Sequence, residues 1–87
     1  MNKREEFLLA IAKMSANFEV LELDTRAYNI LHRHGYTTVA DIFMLLYDDK
    51  LKKFRGMGEK TKYEVEFQLK KYLGDTFNDM MPEEKDE

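Results

Sequence analysis

A single proline, Pro82, stands close to the end of the sequence. Proline removes a helical N–H and clashes with the preceding turn, so nothing interrupts helix before the tail. No alternation of apolar and polar residues runs longer than three positions, and no strand is predicted. The expected fold is all-α: four compact core helices with one more added in front.

The helix signals are local. Asn2, with Glu5 three residues on, caps a first helix running to about Phe18. Phe7, Ile11, Met14 and Phe18 fall on one stripe of that helix, widened by Leu8 and Leu9. Such a stripe either packs onto the protein's own core or docks a partner. After a break at Glu19-Val20-Leu21, Asp24 caps a helix from Thr25 to His34, and Gly35 suits the left-handed residue that closes it. Ala27, Ile30, Leu31 and His34 face the core; Arg26, Asn29 and Arg33 face solvent. Thr38 and Asp41 form a capping-box pattern ahead of Val39, Ile42, Phe43 and Leu46. Asp48 is expected to cap a short helix that carries Leu51 and Phe54 inward. The last long helix runs from Glu59 to Leu73, buries Val65, Leu69 and Tyr72, and ends at Gly74. The expected division is an amphipathic helix over residues 1–19, a body over 20–74 and a disordered acidic tail over 75–87.

Composition narrows the function classes. With 87 residues the protein fits one domain, and 44% hydrophobic residues allow a packed core. The absence of cysteine removes disulfides, thiolate zinc sites and cysteine nucleophiles, and suits a reducing cytoplasm. The run "FLLAIA", Phe7 to Ala12, is too short to span a bilayer, and no small-residue cleavage site follows it. The expectation is a soluble, unexported protein with no membrane association.

The net charge of −3 is unevenly spread. Residues 75–87 hold Asp75, Asp79, Glu83, Glu84, Asp86 and Glu87 against Lys85. Subtracting these from 14 basic and 17 acidic residues leaves 13 basic and 11 acidic, a net of +2 for residues 1–74. Between Lys50 and Lys62 stand Lys50, Lys52, Lys53, Arg55, Lys60 and Lys62 against Glu59 alone. Taken alone, such a run reads as a solvated face.

Two of the four glycines lie in "FRGMG", Phe54 to Gly58, which fits the hydrophobic-x-Gly-hydrophobic-Gly hairpin of helix-hairpin-helix elements. Glycine permits a positive φ and lets another backbone approach closely. Met57 can plug the space between the two helices. Gly58 and Glu59 begin a helix whose unpaired N–H groups and dipole favour an anion, with Lys60 and Thr61 in the same turn. The five residues alone leave open a hairpin that serves only the turn and one that holds phosphate.

The wider pattern, "LELDTRAYNILHRHGYTTVADI" followed by "LKKFRGMGEKTKYEVEFQL", closely resembles the C-terminal domain of the bacterial RNA polymerase α subunit. The landmarks are Glu22-Leu23, Arg26, Tyr28-Asn29, Leu31, Arg33, Gly35, Thr38-Val39, Leu51, Arg55, Gly58, Lys60, Glu64 and Leu69, spread over about residues 20–73. The resemblance implies a helical domain that holds A/T-rich double-stranded DNA at the minor groove and touches RNA polymerase, σ factor and transcription activators. It implies that Arg26 enters the groove with Asn29 assisting. Gly58, Lys60 and Thr61 would hold the flanking backbone beside Arg55 and Gly56, and Glu64 would orient the basic side chains. A narrow A/T groove does attract an inserted arginine, and phosphate contacts fix register without reading sequence.

The sequence departs from that family at three places. Glu59 stands where a neutral or basic residue is usual and should weaken the pull on phosphate. Lys62 occupies a commonly leucine position, and Ile30 replaces a small residue beside the groove. No stretch reads as the α-subunit N-terminal domain, so the expectation is either an excised piece of an α-like subunit or a free-standing relative; the starting methionine, leader helix and acidic tail favour the second, a bacterial protein of the cytoplasm and nucleoid. A protein-interaction module that binds σ factor, polymerase or a second copy through Phe7, Ile11, Met14 and Phe18 is the alternative from another class. Catalysis is the weakest reading. His32 and His34 diverge on their helix, Asp48-Asp49 reads as a cap, and no nucleophile stands at a recognisable spacing from a base. Nothing calls for a metal or a cofactor.

Overall fold

The first three α-helices of this protein start where a side chain accepts a backbone N–H that the helix itself cannot satisfy. The structure, a computed structural model, describes residues 2–81. Asn2 Oδ1 accepts the Glu5 N–H at 2.8 Å and opens α1, Lys3–Met14. Asp24 Oδ1 accepts the Ala27 N–H at 2.8 Å and opens α2, Thr25–Arg33, which Gly35 closes at φ +90°. Thr38 and Asp41 exchange side-chain-to-backbone bonds ahead of α3, Val39–Tyr47. The N–H groups of Thr37 and then Thr38 hold the Asp41 carboxyl below its ordinary pKa, because each bond favours the charged form. α4 spans Glu59–Leu73, and Gly74 at φ +69° turns the backbone into α5, Asp75–Met80. Short 3-10 turns cover Phe18–Leu21 and Leu51–Lys53. The described residues are all helix, turn and loop, apart from one isolated antiparallel bridge between Asn17 and Thr38.

That bridge explains the first departure from expectation. α1 stops at Met14 instead of reaching Phe18, because the next backbone groups are used elsewhere. The Phe18 N–H donates to Thr37 O at 2.9 Å, and the Val39 N–H donates to Ala16 O at 2.8 Å. Phe18 therefore leaves the α1 stripe and enters the core, 1% exposed and stacked on Tyr28 at 5.0 Å. The stripe is divided: Met14 is half-buried against the core, whereas Phe7 and Ile11 are 54% and 50% exposed. α1 is held instead through Ala10, its one buried residue, and a reciprocal clamp. Lys13 Nζ donates to Tyr72 O at 3.0 Å, and the Tyr72 hydroxyl donates to Lys13 O at 3.3 Å.

Two further expectations need correction. Asp48 caps no helix: it ends α3, its N–H donating to Met44 O, and Asp49 then takes a left-handed φ of 56°. The 3-10 turn that follows has no side-chain cap, although Leu51 is buried as expected. The acidic tail is helical over Asp75–Met80, and the remainder of the expected disordered segment, 82–87, lies outside the described residues. Phe77 supplies the reason. It is 2% exposed and meets Phe43 edge-on at 6.0 Å, so one aromatic ring anchors a segment that its charge count marked as solvated.

The core is one apolar cluster running from Phe18 to Phe77, with Leu31, Val39, Ile42, Val65 and Leu69 fully enclosed. Phe77→Ala removes a buried ring from it and should destabilise the fold by about 3–5 kcal/mol in urea denaturation. A loss below about 1 kcal/mol would separate α5 from the cooperative unit.

Candidate nucleic-acid interface

The two hairpin glycines meet different constraints. Gly56 sits at φ +90°, where a side chain is strained. A Cβ there would stand 3.3 Å from Ile30 Cδ1 and 3.4 Å from a guanidinium nitrogen of Arg26. Gly58 has extended backbone, φ −135° and ψ −155°, and a Cβ there would meet nothing within 4 Å. The fold needs the first glycine and leaves open space over the second. Met57 between them is buried, the plug that the pattern implied.

Gly58 is also the N-cap of α4 and offers no side chain to its first turn, where α1, α2 and α3 are capped by Asn2, Asp24 and Thr38. Lys60 is exposed and Thr61 half-buried in that turn, so N–H groups, an ammonium and a hydroxyl gather at one helix start. Arg55 and Gly56 are exposed on the hairpin beside it.

α2 is tied to this helix start by one long-range bond. Glu64 Oε2 accepts the Asp24 N–H at 2.8 Å, which fixes the first turn of α2 to the second turn of α4. The expected role of Glu64, orienting basic side chains, thus takes a different form: it grips backbone two residues before Arg26. Arg26 is exposed, lies against Gly56 and makes no ion pair among the described residues. Asn29 is exposed one helical turn further along α2. Ile30 is half-buried against Gly56 and the core, so its bulk seats the hairpin. Arg26 and the hairpin are brought together directly, while Asn29 shares the face of α2 without a bond to α4.

Two ion pairs were not legible in the sequence. Lys52 Nζ donates to both Glu59 carboxylate oxygens, at 3.2 and 3.4 Å. Lys62 Nζ lies 3.2 Å from Asp49 Oδ1, and the hydrogen bond to that carboxylate raises the pKa of Lys62 above its ordinary value. Lys62, at its commonly apolar position, is therefore half-buried and paired. His32 stacks on Tyr28 and His34 meets Phe54 edge-on. Among the described residues no group of histidines and acids could hold a metal ion.

Together these features make an all-α domain in which a glycine hairpin opens onto an uncapped helix start, with an unpaired arginine laid against it. A family model for the C-terminal domain of the bacterial RNA polymerase alpha subunit matches residues 4–71, and the protein belongs to that family of transcription-related DNA-binding domains. No curated protein and no solved structure gives a significant match.

The contrast between the glycines is measurable. Gly56→Ala should destabilise the domain by about 1–2 kcal/mol through backbone strain and the contacts beneath it. Gly58→Ala should cost less, about 0.5–1 kcal/mol, because alanine fits the space and is only a poorer N-cap. Equal losses at both positions would contradict the geometry.

Proposed function

We propose that the face formed by the start of α2 and the start of α4 binds A/T-rich double-stranded DNA. Arg26 enters the minor groove, where a narrow A/T tract concentrates negative potential. Asn29 assists from the next turn of α2. The N–H groups following Gly58, with Lys60 and Thr61, hold a flanking phosphate and fix register, and Arg55 and Gly56 lie along the backbone. Glu64 is a positioning residue: it holds α2 at the angle that keeps Arg26 beside the hairpin. The observation that carries this reading is the seat of the unpaired Arg26 guanidinium against Gly56, next to an uncapped helix start. The role is non-catalytic, exercised at bacterial promoters in the cytoplasm.

The exposed face of α1 supports a protein contact besides. Phe7, Leu8 and Ile11 are each at least half exposed on one side of a helix whose attachment uses Ala10 and Lys13. RNA polymerase, σ factor, an activator or a second copy of the protein would cover it, giving the domain an apolar contact separate from its DNA face.

Salt separates the two surfaces, because each phosphate contact steepens the fall of affinity with salt and an apolar interface changes little. An A/T-tract duplex should bind more tightly than a G/C duplex, and Arg26→Ala should lower the A/T affinity about 5- to 150-fold. Equal binding of both duplexes, unchanged in the variant, would overturn the minor-groove assignment.

A further inference from the structure

The turn between α3 and α4 and the first turn of α4 exchange charges reciprocally. The turn contributes Asp49 and Lys52, and the helix contributes Glu59 and Lys62. Exposed pairs of this kind add little stability, so their place matters more than their strength. Glu59 directly follows Gly58 and precedes Lys60, at the helix start assigned above to phosphate. Asp49, held in a left-handed turn conformation, takes the ammonium of Lys62 from that same helical turn. Of the six basic residues between Lys50 and Lys62, two are thereby engaged within the protein.

We propose that Glu59 and Asp49 attenuate the DNA site: Glu59 places a carboxylate at the helix start that takes the phosphate, and each acid withholds one nearby cation from the DNA. The proposal rests on the DNA-binding reading above and concerns how strongly a single domain grips. A phosphate that approaches Gly58 meets the Glu59 charge, and Lys52 becomes available only when that pair opens. The site then binds with fewer phosphate contacts than its lysine count suggests.

The test is fluorescence anisotropy of a labelled A/T-tract duplex at several salt concentrations, with circular dichroism to verify folding. Glu59→Gln should raise affinity about three- to tenfold at low salt and steepen the log–log salt slope by roughly one phosphate contact. Asp49→Asn should raise it by a smaller factor, because Asp49 lies outside the helix start. Adding Lys52→Gln to Glu59→Gln should remove the gain in slope, since the released Lys52 makes the new contact. Unchanged or weaker binding by both folded acid variants and by the variant that neutralises Glu59 and Asp49 together overturns the attenuation. If Arg26→Ala abolishes binding while the acid variants match wild type, the DNA reading stands and this inference falls. If no variant binds even at low salt, both fall. Binding seen only after Glu59 and Asp49 are neutralised together, and lost again on adding Arg26→Ala, supports both.

Discussion

The missing side chain at Gly56 governs how the two halves of the interface meet. Ile30 Cδ1 and the Arg26 guanidinium lie 3.3 and 3.4 Å from where a Cβ would stand, and the backbone there is left-handed. α2 can therefore lie close against the hairpin, and Glu64 fixes that approach by accepting the Asp24 N–H. Without this contact the start of α2 and the start of α4 would be two unrelated helix ends. With it, an arginine and a turn of unpaired N–H groups share one surface. The DNA contacts proposed for this surface need nothing more elaborate, because minor-groove and phosphate contacts depend on charge and placement rather than on a pocket.

Charge on this surface is set locally. The protein as a whole is acidic, and even its basic stretch is partly neutralised by the Lys52–Glu59 and Lys62–Asp49 pairs. Arg26 and Lys60, like Lys50, Lys53 and Arg55, form no ion pair among the described residues, and Arg26 alone of these lies against Gly56. The outer face of α1 is a different physical object. Its phenylalanine, leucine and isoleucine side chains have no cover, and burying them favours a partner by removing apolar surface from water. The domain thus carries one polar face with unpaired basic groups and one partly exposed apolar face.

Features fixed by local chemistry were legible in the sequence. Asn2, Asp24 and the Thr38–Asp41 box open their helices as read, and α4 begins at Glu59 and ends at Leu73 as expected. The hairpin, its Met57 plug and the pattern of family landmarks were legible for the same reason, since each lies within a short stretch. Features set by distant partners were not. α1 ends early because Ala16 and Phe18 bond to Val39 and Thr37, far along the sequence, and no local signal announces that. α5 forms because Phe77 finds Phe43, a contact that charge counting over 75–87 obscures. Asp49, Lys52, Glu59 and Lys62 are separately visible, but their pairing depends on how the turn folds back onto α4. The grip of Glu64 on Asp24 spans 40 positions and belongs to the same class.

The central claim is that the starts of α2 and α4 act as one DNA-binding face. An amide chemical-shift titration of isotope-labelled protein with an A/T-tract duplex tests it most directly. The account expects shifts concentrated at Arg26, Asn29 and residues 56–61, with the outer positions of α1 unmoved. Shifts confined to residues 7–12, or none at a duplex concentration that saturates the domain by another readout, would contradict it.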